Sequence, residues 1–194
     1  MGISHARAYT KLEGFEICGV VTRSLGSSQD MVDELGPIPQ YVDFNQALGE
    51  TKPDAVSISS YTETHFPYTI SALDFGCHVF VEKPLAINQK ELDLIFDFYQ
   101  KKSVEKILHV GYNRRFSPHA IKVKNLLGDA SDMNIVATMN AGYIPPDVWV
   151  HDMKVGGGRI IGEACHFIDL MIFITGSLVE DHTVVNSIMI LVLE

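Results

Sequence analysis

Hydrophobic positions in the first half of the chain follow two alternating patterns. Short, nearly continuous apolar runs, which are typical of buried strands, occupy residues 15–21, 54–59, 78–81 and 107–110. Segments with helical periodicity lie around them, at residues 4–12, 27–35, 44–48, 65–75 and 88–101. This alternation predicts a parallel, doubly wound α/β sheet. The predicted unit opens on a helix, with no strand before it.

The pattern changes after about residue 116. It then predicts, in order, a strand exposed on one face at 133–141, a proline-rich loop at 144–147, three glycines at 156–158, an apolar helix at 159–174 and a strand at 183–194. We therefore assign residues 1–115 to one domain and residues 116–194 to the start of a second.

The overall charge and hydropathy narrow the choice of partners. A net charge of −9 argues against nucleic acid, since neutralising phosphates requires clustered Lys and Arg. The tightest basic cluster is the pair Arg114 and Arg115, which is too small for a duplex footprint. No apolar run reaches the length of a membrane span, so we expect no membrane partner either.

Three cysteines, Cys18, Cys77 and Cys165, are widely spaced and lie in apolar surroundings. An odd number with this spacing predicts reduced, buried thiols rather than a disulfide framework or a zinc site. We therefore expect a cytoplasmic protein without a bound metal.

Candidate chemistry begins at Glu82, Lys83 and Pro84, directly after the apolar run at 78–81. Ligands of open α/β sheets bind at the carboxyl ends of the strands, and Pro84 ends this strand. A lysine at that edge can orient a substrate hydroxyl or shuttle a proton. A surface Glu–Lys pair before a turn is the alternative that these three residues leave open.

Four ordered blocks together carry a more specific signal. They are Thr62-Glu63-Thr64-His65, the run 78–84, the run 111–116, and the glycines 156–158 leading to His166 and Asp169. These blocks resemble the glucose–fructose oxidoreductase, inositol dehydrogenase and rhizopine-catabolism (Gfo/Idh/MocA) family of NAD(P)-dependent sugar oxidoreductases. Within that family, residues 140–169 resemble a branch found as the second half of longer bidomain oxidoreductases.

The resemblance implies a Rossmann domain at 1–115, followed from residue 116 by an α+β domain with an open antiparallel sheet. In the family, a strand and a G-x-G-x-M-G turn precede the first helix, and Met1-Gly2 matches only the last two letters of that turn. We therefore expect a Rossmann-type sheet that lacks its first strand, and a second domain that is also incomplete. The resemblance also implies a homo-oligomer for the full-length protein.

The position that usually selects the cofactor holds Thr22, followed by Arg23 and Ser24. No carboxylate is present to bind the ribose 2′-hydroxyl of NAD, and an arginine with two hydroxyls suits the 2′-phosphate of NADP. NADP is slightly favoured over NAD; if Arg23 is only a solvated loop residue, either cofactor binds. The other expected cofactor contacts are Gly2, Ser59, Thr62, His65, Glu82 and Lys83.

The resemblance implies that Lys83 and His166 are the catalytic residues. The sequence differs from the family pattern at a position close to His166. The family has an Asp four residues before the His, but here that position is Gly162 and the neighbouring residue is Glu163. One residue along a helix is a rotation of about 100°, so Glu163 does not automatically assume the Asp role. Asp169 lies on the His166 face and could orient the imidazole, cap an element of the second domain or be purely structural.

Substrate contacts are expected from Arg114, Tyr143, Trp149 and Asp169. The alternatives are a simple ion pair of Arg114 with Glu82, and loop packing for the aromatic residues. The resemblance thus predicts an oxidoreductase that moves a hydride between a nicotinamide cofactor and a secondary alcohol of a sugar, sugar nucleotide or cyclitol. Two alternatives stay open: an NAD-dependent glycosidase-type enzyme of the same fold, and a non-catalytic fragment.

Overall fold

The parallel sheet predicted from the hydrophobic pattern is present. The computed structural model describes residues 2–102, 105–128 and 133–183. Strand β1 (Val20–Val21) pairs in parallel with β2 (Gln40–Tyr41). Strands β3 (Ala55–Ile58), β4 (His78–Val81) and β5 (Leu108–Val110) form a second parallel sheet in that order.

Helices surround the strands. Their bounds are α1 Gly2–Tyr9, α2 Gln29–Leu35, α3 Phe44–Thr51, α4 His65–Asp74, α5 Gln89–Lys102, α6 Pro118–Leu127 and α7 Cys165–Thr175. Short 3₁₀ turns lie at Thr62–Thr64, Asn113–Phe116 and Trp149–His151, and a π-helical turn, Ile160–Ala164, leads into α7.

Local sequence explains where the helices begin. Asp43 accepts a hydrogen bond from the Gln46 amide at 2.6 Å and so caps α3. The Asn88 side chain accepts from the Glu91 amide at 3.0 Å, which confirms the predicted cap of α5. The Glu91 carboxylate accepts a hydrogen bond from the Ile87 amide at 3.1 Å. Two backbone amides at the start of α5, those of Ile87 and Glu91, therefore have side-chain acceptors.

The core lies between the three-stranded sheet and the helices that flank it. Its buried members are Leu48, Ile58, Ala72, Leu73, Cys77, Val79 and Val81. Burial of β4 is the deepest, since both Val79 and Val81 have almost no exposed surface. This burial fixes the end of β4, and therefore the position of the residues that follow it.

The strands form two separate ladders where one continuous sheet is usual. A doubly wound sheet has the strand order 3-2-1-4-5-6. Taking β2 and β1 as strands 3 and 2, and β3 to β5 as strands 4 to 6, the break falls at the place of strand 1. No ladder joins β1 to β3 among the described residues, and Ala55 and Ser57 of β3 are exposed. This arrangement agrees with a Rossmann-type sheet lacking its first strand.

Several predicted elements need correction. The strand predicted at 15–21 pairs only at Val20–Val21, and Phe15 is exposed, because no neighbouring strand covers the rest of the run. Residues 133–141 form no ladder in the described chain, and Val136 is 91% exposed, so the strand predicted there is wrong. A strand needs a hydrogen-bonded neighbour, and the described residues provide none there.

Other differences concern elements that the pattern missed. Helix α6 and strand β2 were not predicted, because α6 has a mixed apolar face and β2 has only two paired residues. The strand predicted at 183–194 falls outside the described residues from 184 onward. Of the three thiols predicted to be buried, only that of Cys77 is fully so; Cys18 is exposed and Cys165 is half-buried. Within the described residues, no helix is long and apolar enough to cross a membrane.

Candidate active site

Lys83 extends from the carboxyl end of the sheet to the helix of the second segment. The ladder continues one step past β4, because the Glu82 amide donates to Ile58 O at 2.8 Å. Beyond it, Lys83 Nζ donates to the Gly162 carbonyl oxygen at 2.7 Å and to Glu163 Oε2 at 3.1 Å. The lysine predicted to act at the sheet edge therefore lies against the two residues at and beside the family's aspartate position.

Glu163 lies one residue after the family's aspartate position, and local geometry explains how its carboxylate still reaches Lys83. Gly162 has little room for a side chain, since a Cβ there would meet Gly156 O at 3.1 Å. Glu163 lies in the π-helical turn Ile160–Ala164, where the rotation per residue differs from that of a straight α-helix. Its carboxylate therefore reaches Lys83, while Gly162 contributes only a backbone carbonyl.

Two cations, Lys83 and Arg114, contact the Glu163 carboxylate. Its second carboxylate oxygen, Oε1, accepts from Arg114 Nη2 at 3.4 Å, and the Arg114 guanidinium lies 4.5 Å from the ring centre of Phe167. Burial alone would raise the pKa of Glu163, but the hydrogen bond and charge of Lys83 outweigh it, so that pKa is lowered. Glu163 is thus an anion that links Lys83 to Arg114.

His166 lies one turn further on and is buried, with 6% of its surface exposed. Its Nδ1 atom has no hydrogen-bond partner among the described residues, and its ring lies edge-on to Tyr112, with ring centres 6.2 Å apart. Burial lowers the pKa of His166, and the positive charges of Lys83 and Arg114 lower it further. The lowered pKa favours the neutral imidazole near pH 7, and a neutral imidazole has one ring nitrogen that can accept a proton.

The same burial acts on the neighbouring phenol. Desolvation raises the pKa of Tyr112 to about 12, so Tyr112 stays protonated at neutral pH. Tyr112 therefore offers no competing anion beside His166.

Asp169 anchors α7 instead of reaching the imidazole. Arg115 donates to both of its carboxylate oxygens, from Nε at 3.0 Å and from Nη2. A bidentate pair of this kind fixes both side chains, and it ties α7 to the 3₁₀ turn Asn113–Phe116. The contact with Arg115 supports a structural role for Asp169. No hydrogen bond among the described residues joins Asp169 to His166.

Sequence reasoning missed the partner of Glu82. His5 on α1 donates from Nε2 to Glu82 Oε1 at 2.9 Å, and its Nδ1 lies 3.0 Å from Ser57 Oγ. The hydrogen bond from His5 is the main reason that the pKa of Glu82 is lowered. The contact joins residues 77 positions apart, and no local sequence signal could have indicated it.

His65 organises the turn that presents Lys83. It is 1% exposed, and its Nδ1 donates to the Pro84 carbonyl oxygen at 2.7 Å. The other ring nitrogen lies 3.2 Å from the Ser60 carbonyl oxygen. Both ring nitrogens thus face backbone carbonyls, which gives His65 a structural role beneath the site.

The expected cofactor residues lie along the carboxyl edge of β1 and β3. A Cβ on Gly2 would meet Ser59 Oγ at 3.2 Å, so α1 begins in close contact with the end of β3. Thr22 Oγ1 donates to Ser24 O at 2.9 Å, and Ser24 Oγ lies 2.6 Å from Ser27 Oγ. A glycine that permits close backbone approach at a helix start, with the Ser59 hydroxyl beside it, fits a dinucleotide phosphate.

The loop before α7 packs against the 3₁₀ turn Thr62–Thr64 and the residue before it. Trp149 lies edge-on to Tyr61, with ring centres 5.2 Å apart, and the Glu63 amide donates to Val155 O at 3.1 Å. Gly156 must be a glycine here, because a Cβ would lie 2.9 Å from Trp149 O. Tyr143 is 85% exposed, and the structure does not bring it to the other site residues.

A separate apolar groove of about 400 Å³ runs along α5. It is lined by Leu85, Gln89, Leu92, Asp93, Ile95, Phe96 and Tyr99 and contains none of the predicted site residues. The described residues also contain no cluster of three or more side chains that could hold a metal ion.

Comparison with known proteins agrees with this geometry. Residues 1–112 match the model of an oxidoreductase family with an NAD-binding Rossmann fold. The match over more than half of the chain identifies the class as a protein family whose members share an NAD-binding Rossmann fold. The matching family is Gfo/Idh/MocA, and the chain belongs to it.

The similar proteins include two named as dehydrogenases and one solved structure described as an NAD-binding protein. The chain is 27% identical over 164 residues to a myo-inositol 2-dehydrogenase of Thermotoga maritima, covering 84% of the chain and 48% of that protein. It is 26% identical over 177 residues to a D-glucoside 3-dehydrogenase of Escherichia coli, covering 89% and 50%. Among solved structures, an NAD-binding protein from Listeria innocua matches with a TM-score of 0.71 at 27% identity, covering 90% and 51%. The chain thus spans about half the length of these relatives.

Proposed function

We propose that this chain carries the catalytic centre of an NAD(P)-dependent oxidoreductase that oxidises a secondary alcohol of a sugar, sugar nucleotide or cyclitol. The observation that carries the proposal is the convergence of Lys83, Glu163 and His166 from two separate segments. Lys83 follows the central strand β4 by two residues, and His166 belongs to α7. The contact of Lys83 with Glu163 joins the two segments. The names of the inositol and glucoside dehydrogenase relatives support the substrate class.

The nicotinamide, when bound, supplies the hydride acceptor. Gly2 and Ser59 would hold the pyrophosphate end, since α1 starts there in close contact with β3. Thr62, buried at the start of its 3₁₀ turn, and Glu82, fixed by His5, shape the floor of the same edge. These positions fit a dinucleotide by their chemistry.

Proton transfer follows from the protonation states of the site. Lys83, held by Glu163 and the Gly162 carbonyl, would donate a hydrogen bond to the substrate hydroxyl and stabilise negative charge that develops on its oxygen. His166 would accept the hydroxyl proton, because burial lowers its pKa and favours the neutral imidazole. Glu163 is the weaker candidate for the base, because the hydrogen bond and charge of Lys83 lower its pKa despite its burial.

The cofactor is proposed to be NADP in preference to NAD. Thr22, Arg23 and Ser24 place no carboxylate after β1, and Arg23 supplies a cation for a 2′-phosphate. We further propose a cytoplasmic location, which the odd number and wide spacing of the cysteines favour, and a homo-oligomeric full-length protein, which the resemblance to the family implies.

The direct test is oxidation of a panel of cyclitols, methyl glucosides and sugar nucleotides with NADP or NAD. Formation of reduced nicotinamide together with an equal amount of ketone product supports the proposal. Conversion of a glycoside to free sugar without net cofactor reduction would instead show glycosidase-type chemistry and would contradict it.

A further inference from the structure

Tyr61 connects the loop after β1 with the loop before α7. The Arg23 guanidinium carbon lies 4.9 Å from the centre of the Tyr61 ring. The same ring also contacts Trp149 edge-on: the two ring centres are 5.2 Å apart and the ring planes meet at 88°. We refer to these three side chains as the Arg23–Tyr61–Trp149 stack.

The stack gives Arg23 a fixed position without occupying its hydrogen-bonding edge. Arg23 is exposed, and no acidic side chain in the described residues pairs with it. A guanidinium stacked on an aromatic face keeps its N–H groups free for bidentate binding of an oxyanion. A long side chain that is already ordered also loses less conformational entropy when a ligand binds.

The ring of Tyr61 is itself held in place. The Tyr61 carbonyl accepts from the Thr64 amide at 2.9 Å and from Thr64 Oγ1 at 2.7 Å, which fixes the backbone of the 3₁₀ turn. The hydrogen bond from the Glu63 amide to Val155 O holds the Trp149 loop against the same turn. Tyr61 is therefore a rigid platform at the edge of β3.

We infer that Tyr61 is a positioning residue that determines cofactor specificity, because it holds Arg23 ready for a phosphomonoester on the ribose 2′-oxygen. This inference rests on the proposed function, in which Arg23 faces that phosphate. Thr22 contributes to the shape of the loop, since its hydroxyl donates to Ser24 O. Trp149 supports the platform from the edge.

The test measures binding of two mononucleotides by calorimetry: adenosine 2′,5′-bisphosphate and adenosine 5′-monophosphate. We expect the unmodified chain to prefer the bisphosphate by at least tenfold. Tyr61→Leu should reduce that preference to threefold or less and leave the affinity for the monophosphate unchanged. Tyr61→Phe, which keeps the ring, should retain the preference, and Arg23→Gln should abolish it.

A second readout comes from Trp149, the single tryptophan of the chain. Its fluorescence should change when the bisphosphate binds and much less when the monophosphate binds. Each variant is checked for a cooperative thermal transition, and Tyr61→Met replaces Tyr61→Leu if the latter does not fold.

The outcomes separate the inference from the function on which it rests. If Arg23→Gln loses the preference and Tyr61→Leu retains it, Arg23 selects the phosphate without Tyr61 and the inference is overturned. If the unmodified chain binds both ligands equally, the preference for NADP is wrong and the inference is overturned with it, although hydride transfer to NAD stands. Failure to bind either ligand at millimolar concentrations overturns the inference as well.

Discussion

Lys83 Nζ lies 3.1 Å from Glu163 Oε2, although the two residues are 80 positions apart and belong to different segments. The contact gives the lysine of the sheet edge a carboxylate partner from the turn that leads into α7. The neighbouring Gly162 leaves little room for a side chain, because a Cβ there would lie 3.1 Å from Gly156 O. The carboxylate of this site therefore comes from residue 163.

Replacing Glu163 tests this assignment. Glu163→Gln keeps the shape of the side chain but removes the charge that holds Lys83 and Arg114, so we expect kcat to fall by about tenfold or more. The exposed Glu16→Gln is the matched control and should leave kcat unchanged. A normal rate for Glu163→Gln would mean that Lys83 needs only the Gly162 carbonyl for its position.

The lowered pKa of His166 predicts a dependence of stability on pH. In the unfolded chain the imidazole titrates near its ordinary value of 6.5, whereas burial lowers its pKa in the folded chain. The unfolded state then binds more protons below pH 6.5, so the free energy of unfolding should fall as the pH drops from about 6.5 toward the lower folded pKa. Lys83 and Arg114 add to this effect, and Glu163 and Glu82 oppose it.

The measurement is urea unfolding of the chain and of His166→Gln at several pH values. The dependence between pH 7 and 5 should be smaller in His166→Gln, because that variant has no imidazole to protonate. Identical pH dependence of the two proteins would show that His166 is not the buried group that titrates.

The Arg115–Asp169 pair should matter for stability more than for chemistry. Asp169→Asn leaves Arg115 with a weaker partner, and we expect a loss of about 2 kcal/mol in the free energy of unfolding. Asp147→Asn, in the exposed loop, is the control and should change the stability by less than about 0.5 kcal/mol. A loss of kcat in Asp169→Asn without a loss of stability would instead support a contact with substrate.

The separation between β1 and β3 predicts that an added strand strengthens cofactor binding. Fusing a β-strand and a G-x-G turn to the N-terminus supplies the missing ladder and the backbone donors for a pyrophosphate. We expect the Kd for the nicotinamide cofactor to fall at least tenfold, which is about 1.4 kcal/mol.

A matched extension in which both glycines are replaced by valine should give little of this gain. Submicromolar affinity of the chain without any extension would contradict the prediction, since the existing edge would then suffice.

Much of this architecture could be predicted from the sequence, because the determinants are local. The apolar run 78–81 has a buried strand pattern, and Asn88 followed by Glu91 is a capping signal that the structure confirms. Strand 133–141 was predicted wrongly, because alternation specifies a strand only where a neighbour can pair with it. Local pattern contains no information on that neighbour.

The site itself was only partly predictable. Lys83 and His166 were predicted from ordered blocks that resemble a family, and their catalytic roles stay a prediction. The reach of Glu163 depends on a π-helical turn that no sequence pattern indicated. The contacts of Glu82 with His5 and of Arg23 with Tyr61 join distant segments. Such contacts arise from the tertiary fold, and sequence spacing does not specify them.

The central claim is that Lys83 and His166 act on the same substrate hydroxyl. Its most direct test is a double-mutant cycle on kcat, measured in the chain carrying the N-terminal strand and G-x-G extension. We expect Lys83→Ala and His166→Ala each to lower kcat by roughly 10²-fold or more, with little change in cofactor Kd for His166→Ala.

The double variant should lose much less than the product of the two single losses, because groups that act as a unit are not additive. Strict additivity would show that the two residues act in separate steps. Retention of most of the rate by His166→Ala would contradict the account outright, and the exposed His151 would then be the next candidate for the proton acceptor.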